Sequence, residues 1–244
     1  MPSLKGLGRK ARRRTSGTRK AIVLLSGGID SATCLYLLRR EHDVRAITFE
    51  YRGIVASELA SARAIAAHAG VREHRVVRLP DLREAADIGA EKFPGRPPSY
   101  IPARNAVFYG LAASFAEEVG AVVVAGGHHK EDAVRFPDAS PAFFSALERA
   151  LLVGTPALRR RGMRIVLPLR TLSKSQVLRR ASREGVPLQL TWSCHRDGRL
   201  HCWKCEGCLW RVRSFREAGV SDPLLGLQGN MQGPESRPKH RASP

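Results

Sequence analysis

Short apolar runs alternate with amphipathic stretches along most of this 244-residue chain. The runs are rich in Val, Ile and Ala, which is typical of buried strands, and the stretches between them repeat apolar residues at helical spacing. Strands that alternate with helices predict a parallel sheet covered on both faces, which is a doubly wound α/β fold. The predicted strands lie at 21–25, 44–49, 76–79, 121–125 and 165–167.

Helices are predicted between these strands from their end signals. Gly70 stops one helix, and Ser173 caps another. The proline-rich stretch 80–103 is predicted to be a loop, and a loop of that length in a compact domain is usually functional. The first helix begins at Asp30, and the others are predicted at 57–68, 104–119, 141–152 and 173–184.

The most informative stretch is the octet LLSGGIDS at residues 24–31, where the first strand ends at two glycines and a helix begins. Glycines let backbone N–H groups approach an anion, and the free amides of a helix start add partial positive charge. Ser26 and Ser31 can each donate a hydroxyl hydrogen bond to phosphate. Asp30 suits either Mg²⁺ or a helix cap. The octet therefore predicts a phosphate site, and the alternative is a plain strand-to-helix turn.

A cysteine cluster near the C-terminus predicts a metal site. Cys194, Cys202, Cys205 and Cys208 follow the pattern C-x₇-C-x₂-C-x₂-C. Four thiolates close a tetrahedral Zn²⁺ site with no open position, so the predicted zinc is structural. The same triplet is compatible with an iron–sulfur cluster. The neighbouring histidines are interpreted as bystanders, and Cys34 as a buried small apolar residue.

Composition limits the remaining possibilities. The formal net charge is +19, and residues 1–20 hold eight basic side chains and no acidic one. Such an arm can contact nucleic acid weakly, or it can be a solvated tail. No apolar run is long enough to span a membrane, and no apolar segment precedes Ala21, so a cytoplasmic location without a secretory signal is expected. We predict four parts: a basic arm (1–19), a nucleotide-binding α/β domain (20–188), a helical zinc-binding element (189–222) and a tail (223–244).

Five motifs, the first of which overlaps the octet, occur in one order and carry a resemblance. They are SGGIDSATCL at 26–35, IPARNAVF at 101–108, FPD at 136–138, LSK at 172–174 and LTWSC at 190–194, followed by the three remaining cysteines. The chain resembles the 7-cyano-7-deazaguanine synthase family of the ATP pyrophosphatase superfamily over about residues 20–217. The resemblance implies an adenine nucleotide alpha hydrolase-like fold.

The resemblance also implies an activity. The family uses ATP to adenylate the carboxylate of 7-carboxy-7-deazaguanine, ammonia attacks to give an amide, and a second activation removes water to give the nitrile. The expected ligands are ATP with Mg²⁺, this acid, ammonia and structural Zn²⁺, and a homodimer is possible. The resemblance assigns ATP or pyrophosphate to Leu24, Leu25, Ser26, Gly27, Gly28, Ile29, Asp30 and Ser31; catalysis to Asp30, Ser31 and Lys174; and substrate to Tyr51, Arg104, Asn105, Asp132, Phe136 and Asp138.

The chain departs from the family pattern on the substrate side. The family usually has Asp-Tyr-Gly-Gln and a basic or histidine residue where residues 50–54 read EYRGI. It has Gly where this chain has Ala103, and often Cys where this chain has Ala139. A paralogue that couples a related deazapurine acid to another amine therefore stays open. So does a tRNA-thiolating enzyme of the same superfamily, which the basic arm favours. A non-catalytic zinc module that binds nucleic acid is disfavoured by the intact phosphate loop.

Overall fold

The computed structural model describes residues 19–97 and 99–225. Its centre is a sheet of five strands in the order β3-β2-β1-β4-β5, and every pair of neighbours is parallel. The order reverses between β1 and β4, which is where ligands bind in open α/β sheets. The strands are β1 (Lys20–Leu24), β2 (Asp43–Tyr51), β3 (His74–Leu79), β4 (Val123–Ala125) and β5 (Arg164–Val166).

Helices connect the strands and cover both faces of the sheet. Short 3₁₀ turns at Ala90–Lys92, Pro137–Ala139 and Leu188–Leu190 join some of them. In the described residues the α-helices are α1 (Ile29–Leu38), α2 (Ala56–His68), α3 (Ala85–Ile88), α4 (Arg104–Val119), α5 (Asp132–Arg135), α6 (Pro141–Gly154), α7 (Pro156–Arg161), α8 (Lys174–Arg183) and α9 (Glu206–Ala218).

Two apolar layers hold the helices against the sheet. Successive residues of a strand point to opposite faces. Ala21 and Val23 accordingly pack in a layer with residues of α1, α2, α8 and α9. Ile22, between them, packs in the other layer with residues of α4, α6 and α7. All three are fully buried. The predicted doubly wound α/β fold is confirmed.

The predicted elements agree with the observed ones to within a few residues, but the short helices α3, α5 and α7 were not predicted. The stretch 80–103 is not only loop, because it contains α3 and a 3₁₀ turn. Helix α7 was missed, because its sequence PALRRR has little apolar periodicity and it is held mainly by one buried residue, Leu158. Ser173 caps α8 as predicted, and its hydroxyl accepts a hydrogen bond from the backbone N–H of Gln176.

A buried ion pair holds the C-terminal helix in place. The side chains of Arg211 and Asp222 are both fully buried, and the guanidinium donates to the carboxylate at 2.6 and 2.8 Å. The remaining donors of Arg211 reach the Thr191 hydroxyl at 2.9 Å and the Leu188 carbonyl at 3.2 Å. This pair ties α9 to the segment that enters the cysteine cluster.

The predicted arm and tail lie, except for Arg19 and residues 223–225, outside the described residues. In the described part of the chain, no helix is both long and apolar enough to cross a bilayer.

We expect Asp222→Ala to lower the free energy of unfolding by about 3–5 kcal/mol, because it leaves the buried Arg211 charge without a partner. Urea denaturation followed by circular dichroism measures this. Glu217→Ala is the matched control, since Glu217 pairs with Arg213 on the same helix while both side chains are about half exposed. The control should lose at most about 1 kcal/mol. Equal losses in the two variants would contradict this assignment.

Candidate active site

A cavity of about 320 Å³ opens at the carboxyl ends of β1, β2 and β4. It lies at the reversal of strand order, and Ser26, Tyr51 and His128 line it just beyond or at the ends of those three strands. Ten of the predicted site residues line it: Leu24, Leu25, Ser26, Asp30, Ser31, Tyr51, Arg104, Asn105, Asp132 and Phe136. Gly27, Gly28, Ile29, Asp138 and Lys174 do not.

The loop after β1 is packed tightly by backbone from two directions. Gly27 has φ +91°, and a Cβ there would overlap the Glu58 carbonyl oxygen and lie 2.9 Å from the Ala62 backbone nitrogen. Gly127 lies against the start of α1, where a Cβ would stand 2.7 Å from the Ser31 nitrogen. Glycine is therefore required at both positions, because any side chain would push the loop away from α2 or from β4.

The two loop hydroxyls bond within the loop. The Ser31 hydroxyl donates to the Gly28 carbonyl at 3.1 Å and accepts from the Ser26 backbone N–H at 3.1 Å, and it lies 3.1 Å from the Ser26 hydroxyl. Helix α1 has Gly28 as its N-cap and no side-chain cap. The capping alternative for Asp30 is therefore wrong.

Asp30 is paired with Lys174, which is 144 positions away in the sequence. One carboxylate oxygen, Oδ2, accepts the Lys174 ammonium hydrogen bond. The other, Oδ1, is buried and has no hydrogen-bond partner in the described part of the chain. An unpartnered carboxylate oxygen beside the phosphate-type loop, residues 26–31, fits a hard cation such as Mg²⁺, which prefers oxygen ligands.

The predicted substrate side divides into residues that face the cavity and one that does not. The Arg104 guanidinium lies over the Phe136 ring, 5.6 Å from its centroid. Asp132 lines the cavity and accepts the His129 backbone N–H at 2.9 Å. Asp138 instead accepts the Asn105 backbone N–H at 3.1 Å, and its carbonyl accepts the Asn105 side-chain amide at 2.8 Å. Its carboxylate therefore serves the start of α4.

The family departures lie close to the cavity. Ile54 and Ala139 line it, so the lost basic residue and the lost cysteine are changes in its wall. Ala103 precedes α4 and has φ 54°, in the left-handed region. That conformation costs a residue with a Cβ about 1–2 kcal/mol, which explains the glycine of the family pattern.

The cavity holds charged groups of both signs and one neutral histidine. Burial lowers the pKa of His128 to about 4, against the opposing effect of Asp132, so its ring is neutral at pH 7. Burial raises the pKa of Glu58 to about 7, while Arg104 acts in the opposite direction. Glu58 is a cavity residue that sequence reasoning missed, because an acidic residue in the first turn of a helix is ordinary there.

The four cysteine sulfurs converge on one point. All of them lie within 4.8 Å of one another, with 3.9 Å between Cys202 and Cys208 and 3.8 Å between Cys194 and Cys205. Tetrahedral Zn–S bonds of about 2.3 Å separate sulfurs by about 3.8 Å, so the cluster fits a single metal ion. Backbone N–H groups of Lys204 and Cys205 lower the pKa of Cys202 to about 6, which favours the thiolate.

The flanking His201 makes contacts of its own. His201 accepts the Ser193 backbone N–H at 3.1 Å through Nε2 and packs against Trp192 in a tilted arrangement, with 4.3 Å between ring centroids. Cys34 is fully buried, and burial raises the pKa of its thiol. In the described residues the four clustered cysteines are the group with metal-binding geometry.

The cysteine segment contacts the phosphate-type loop directly. The Trp192 backbone N–H donates to the Gly27 carbonyl at 3.0 Å, and the Trp192 indole donates to the Cys194 carbonyl at 2.8 Å. Asp197 accepts the Ser57 backbone N–H at 2.9 Å, at the first turn of α2. The cysteine segment therefore helps to hold both the loop and the start of α2 in position.

Curated relatives match most of the chain. A 7-cyano-7-deazaguanine synthase from Thermoplasma acidophilum is 38% identical over 219 residues, which covers 84% of this chain and 91% of the relative. One from Stutzerimonas stutzeri is 38% identical over 218 residues, covering 84% and 97%. One from Acetivibrio thermocellus is 34% identical, covering 84% and 97%.

A solved structure of NMN synthetase from Francisella tularensis has the same fold, with a TM-score of 0.50 at 16% identity, covering 91% of this chain and 90% of that one. The profile of the family described as "Queuosine biosynthesis protein QueC" matches residues 20–219. With the octet, the cavity and the cysteine cluster all inside this span, the chain belongs to the QueC family.

Proposed function

We propose that this protein is an ATP-dependent C–N ligase that converts 7-carboxy-7-deazaguanine and ammonia to 7-cyano-7-deazaguanine through an adenylated carboxylate. The observation that carries the proposal is one cavity that joins the SGGIDS loop to Arg104 within a QueC family chain. A carboxylate cannot expel oxide when an amine attacks it. Adenylation supplies AMP as the leaving group, so one cavity must hold both the nucleotide and the acid.

The phosphates of ATP would lie on the loop from Ser26 to Ser31. Its glycines leave the backbone accessible, and the start of α1 adds positive potential. Lys174 lies at the same loop through its pair with Asp30 and would add positive charge beside the phosphates. Bound at Asp30, Mg²⁺ would neutralise charge on the phosphate oxygens.

The acid would lie on the opposite wall of the cavity. Arg104 presents a planar donor pair that matches a carboxylate, and its position over Phe136 fixes its orientation. Asp132 is the carboxylate we assign to the N–H donors of the deazaguanine edge, and Tyr51, Phe136 and Asn105 complete the wall. We withdraw Asp138 from direct contact with substrate, because its carboxylate caps α4.

We infer that the cysteine cluster holds structural Zn²⁺. The sulfur separations suit one ion, whereas an iron–sulfur cluster would spread its ligands farther apart. A homodimer, a cytoplasmic location and weak contact of the basic arm with nucleic acid stay predictions, as does the division of the chain into four parts.

The decisive test is the product. With ATP, ammonium and 7-carboxy-7-deazaguanine, we expect mass spectrometry to detect the nitrile. Asp30→Ala should reduce turnover about 100-fold or more, because the phosphate charge loses its preorganised partners. Glu217→Gln, an exposed change on α9, is the control and should retain turnover.

Other outcomes would assign a different function. ATP turnover that depends on transfer RNA and not on the acid would support the thiolating enzyme. Turnover with a related acid or another amine, and none with these substrates, would support a paralogue, as the changed wall at Ile54 and Ala139 allows.

We expect Cys205→Ser to lose bound metal, to lower the melting temperature and to weaken ATP binding. A structural zinc contributes folding free energy, and this segment holds the Gly27 carbonyl. Metal analysis, thermal denaturation and calorimetry measure the three effects. Cys34→Ser is the control thiol and should keep the metal. A metal-free Cys205→Ser protein that melts like the parent would refute a structural role.

A further inference from the structure

Glu58 is a cavity carboxylate that the proposed roles leave unused. It lies in the first turn of α2, is half-buried and lines the cavity together with Tyr51 and Arg104. In the described part of the chain its carboxylate makes no hydrogen bond or ion pair. The other two cavity carboxylates are engaged, Asp30 with Lys174 and Asp132 with the His129 backbone.

The backbone places Glu58 beside the phosphate-type loop. Its carbonyl oxygen is the atom that a Cβ at Gly27 would strike, so the first turn of α2 packs directly on the loop. Its side chain faces the wall where Arg104 would hold the acid. Glu58 therefore borders both parts of the cavity: its backbone packs on the proposed phosphate loop, and its carboxylate is close enough to Arg104 to feel its charge.

The charged and titratable groups around Glu58 and its neighbour Tyr51 come from three segments. Arg104 of α4 favours its ionised form, and Tyr51 of β2 stays neutral because burial raises its pKa. Glu84, from the segment before α3, has a raised pKa, chiefly through burial. Because burial also raises the pKa of Glu58 to about 7, whereas that of His128 falls to about 4, Glu58 is the better proton acceptor near neutral pH.

The amination step requires such a group. Ammonia is mostly ammonium at neutral pH, and ammonium has no lone pair with which to attack. A carboxylate that faces the reacting carbon can bind the cation and remove one proton. A half-buried, otherwise unpaired carboxylate meets both requirements.

We propose that Glu58 binds the incoming ammonium ion and acts as its general base, an inference that rests on the proposed ligase function. Ammonium gives one proton to the Glu58 carboxylate, and the nitrogen lone pair forms the C–N bond at the acyl carbon. The bond from that carbon to the AMP oxygen breaks, and its electron pair leaves with AMP. The nitrogen loses a second proton to water, and Glu58 returns its own proton to solvent.

The test separates amination from adenylation in Glu58→Gln. Without ammonium, acid-dependent exchange of pyrophosphate into ATP should stay within threefold of the parent, which also shows that the variant folds. Ammonia-dependent amide and nitrile formation should fall about 10²–10⁴-fold, the usual contribution of general base catalysis. Hydroxylamine is largely unprotonated at neutral pH, so it should form the hydroxamate at nearly the parental rate.

The pH profile gives a second measure. In the parent, kcat/KM for ammonium should rise with pH as Glu58 loses its proton near pH 7, since only the ionised carboxylate accepts one. This rise of kcat/KM near pH 7 should be missing in Glu58→Gln. Glu84→Gln is the matched control: Glu84 also has a raised pKa and is close to Arg104, but it does not line the cavity. The control should aminate within twofold of the parent.

Three results would overturn the inference. Amination retained in Glu58→Gln would show that Glu58 is not the general base. Equal loss of exchange and amination would make Glu58 a binding residue for acid or nucleotide, while leaving the ligase function intact. Absence of acid-dependent exchange in the parent would remove the proposed function, and the inference with it.

Discussion

The constraint on which the site depends is the close backbone approach at Gly27. The loop after β1 has α2 on one side and the cysteine segment on the other, and both contact it through backbone atoms. Gly127 closes the same region from β4. Without these two glycines the loop could not stay where the amides at the start of α1 face the cavity, because any Cβ would need the space that the neighbouring backbone occupies.

The cysteine cluster and the cavity are structurally connected. The cysteine segment reaches the loop through Trp192 and reaches α2 through Asp197, and the buried Arg211–Asp222 pair anchors it to α9. Four thiolates around one zinc ion, as proposed, would leave no open position for chemistry. The contribution we propose for them is rigidity, at the point where a glycine loop has little of its own.

Much of the fold could be predicted from the sequence, because β1 is a continuous apolar run, α4 has clear helical periodicity and the octet joins a strand to a helix. The cysteine cluster could be predicted because its spacing alone brings thiolates together. The pair of Lys174 with Asp30 needed the structure, since it joins residues 144 positions apart. Asp138 illustrates the opposite case. Its place in a family motif suggests a ligand contact, yet its carboxylate accepts a hydrogen bond from the backbone N–H of Asn105 at the start of α4.

Glu58 shows why charge alone does not identify a functional residue. Sequence gives its helix position, while its significance comes from burial, from the unpaired carboxylate and from Arg104 nearby. The departures at Ile54 and Ala139 likewise matter only because the fold brings them to the cavity wall. The residues proposed to bind phosphate follow local rules of backbone geometry, whereas the residues proposed to select the acid depend on contacts between distant segments.

Calorimetric titration of ATP, with and without Mg²⁺, into the parent protein, Gly27→Ala and Gly154→Ala tests the central claim most directly. Gly154 has no atom within 4 Å of the position a Cβ would take, so it controls for the added methyl group. The account predicts magnesium-assisted binding in the parent and in Gly154→Ala, and binding at least about tenfold weaker in Gly27→Ala, a loss of about 1.4 kcal/mol. Equal binding by all three proteins, or no magnesium-assisted binding in the parent, would contradict it.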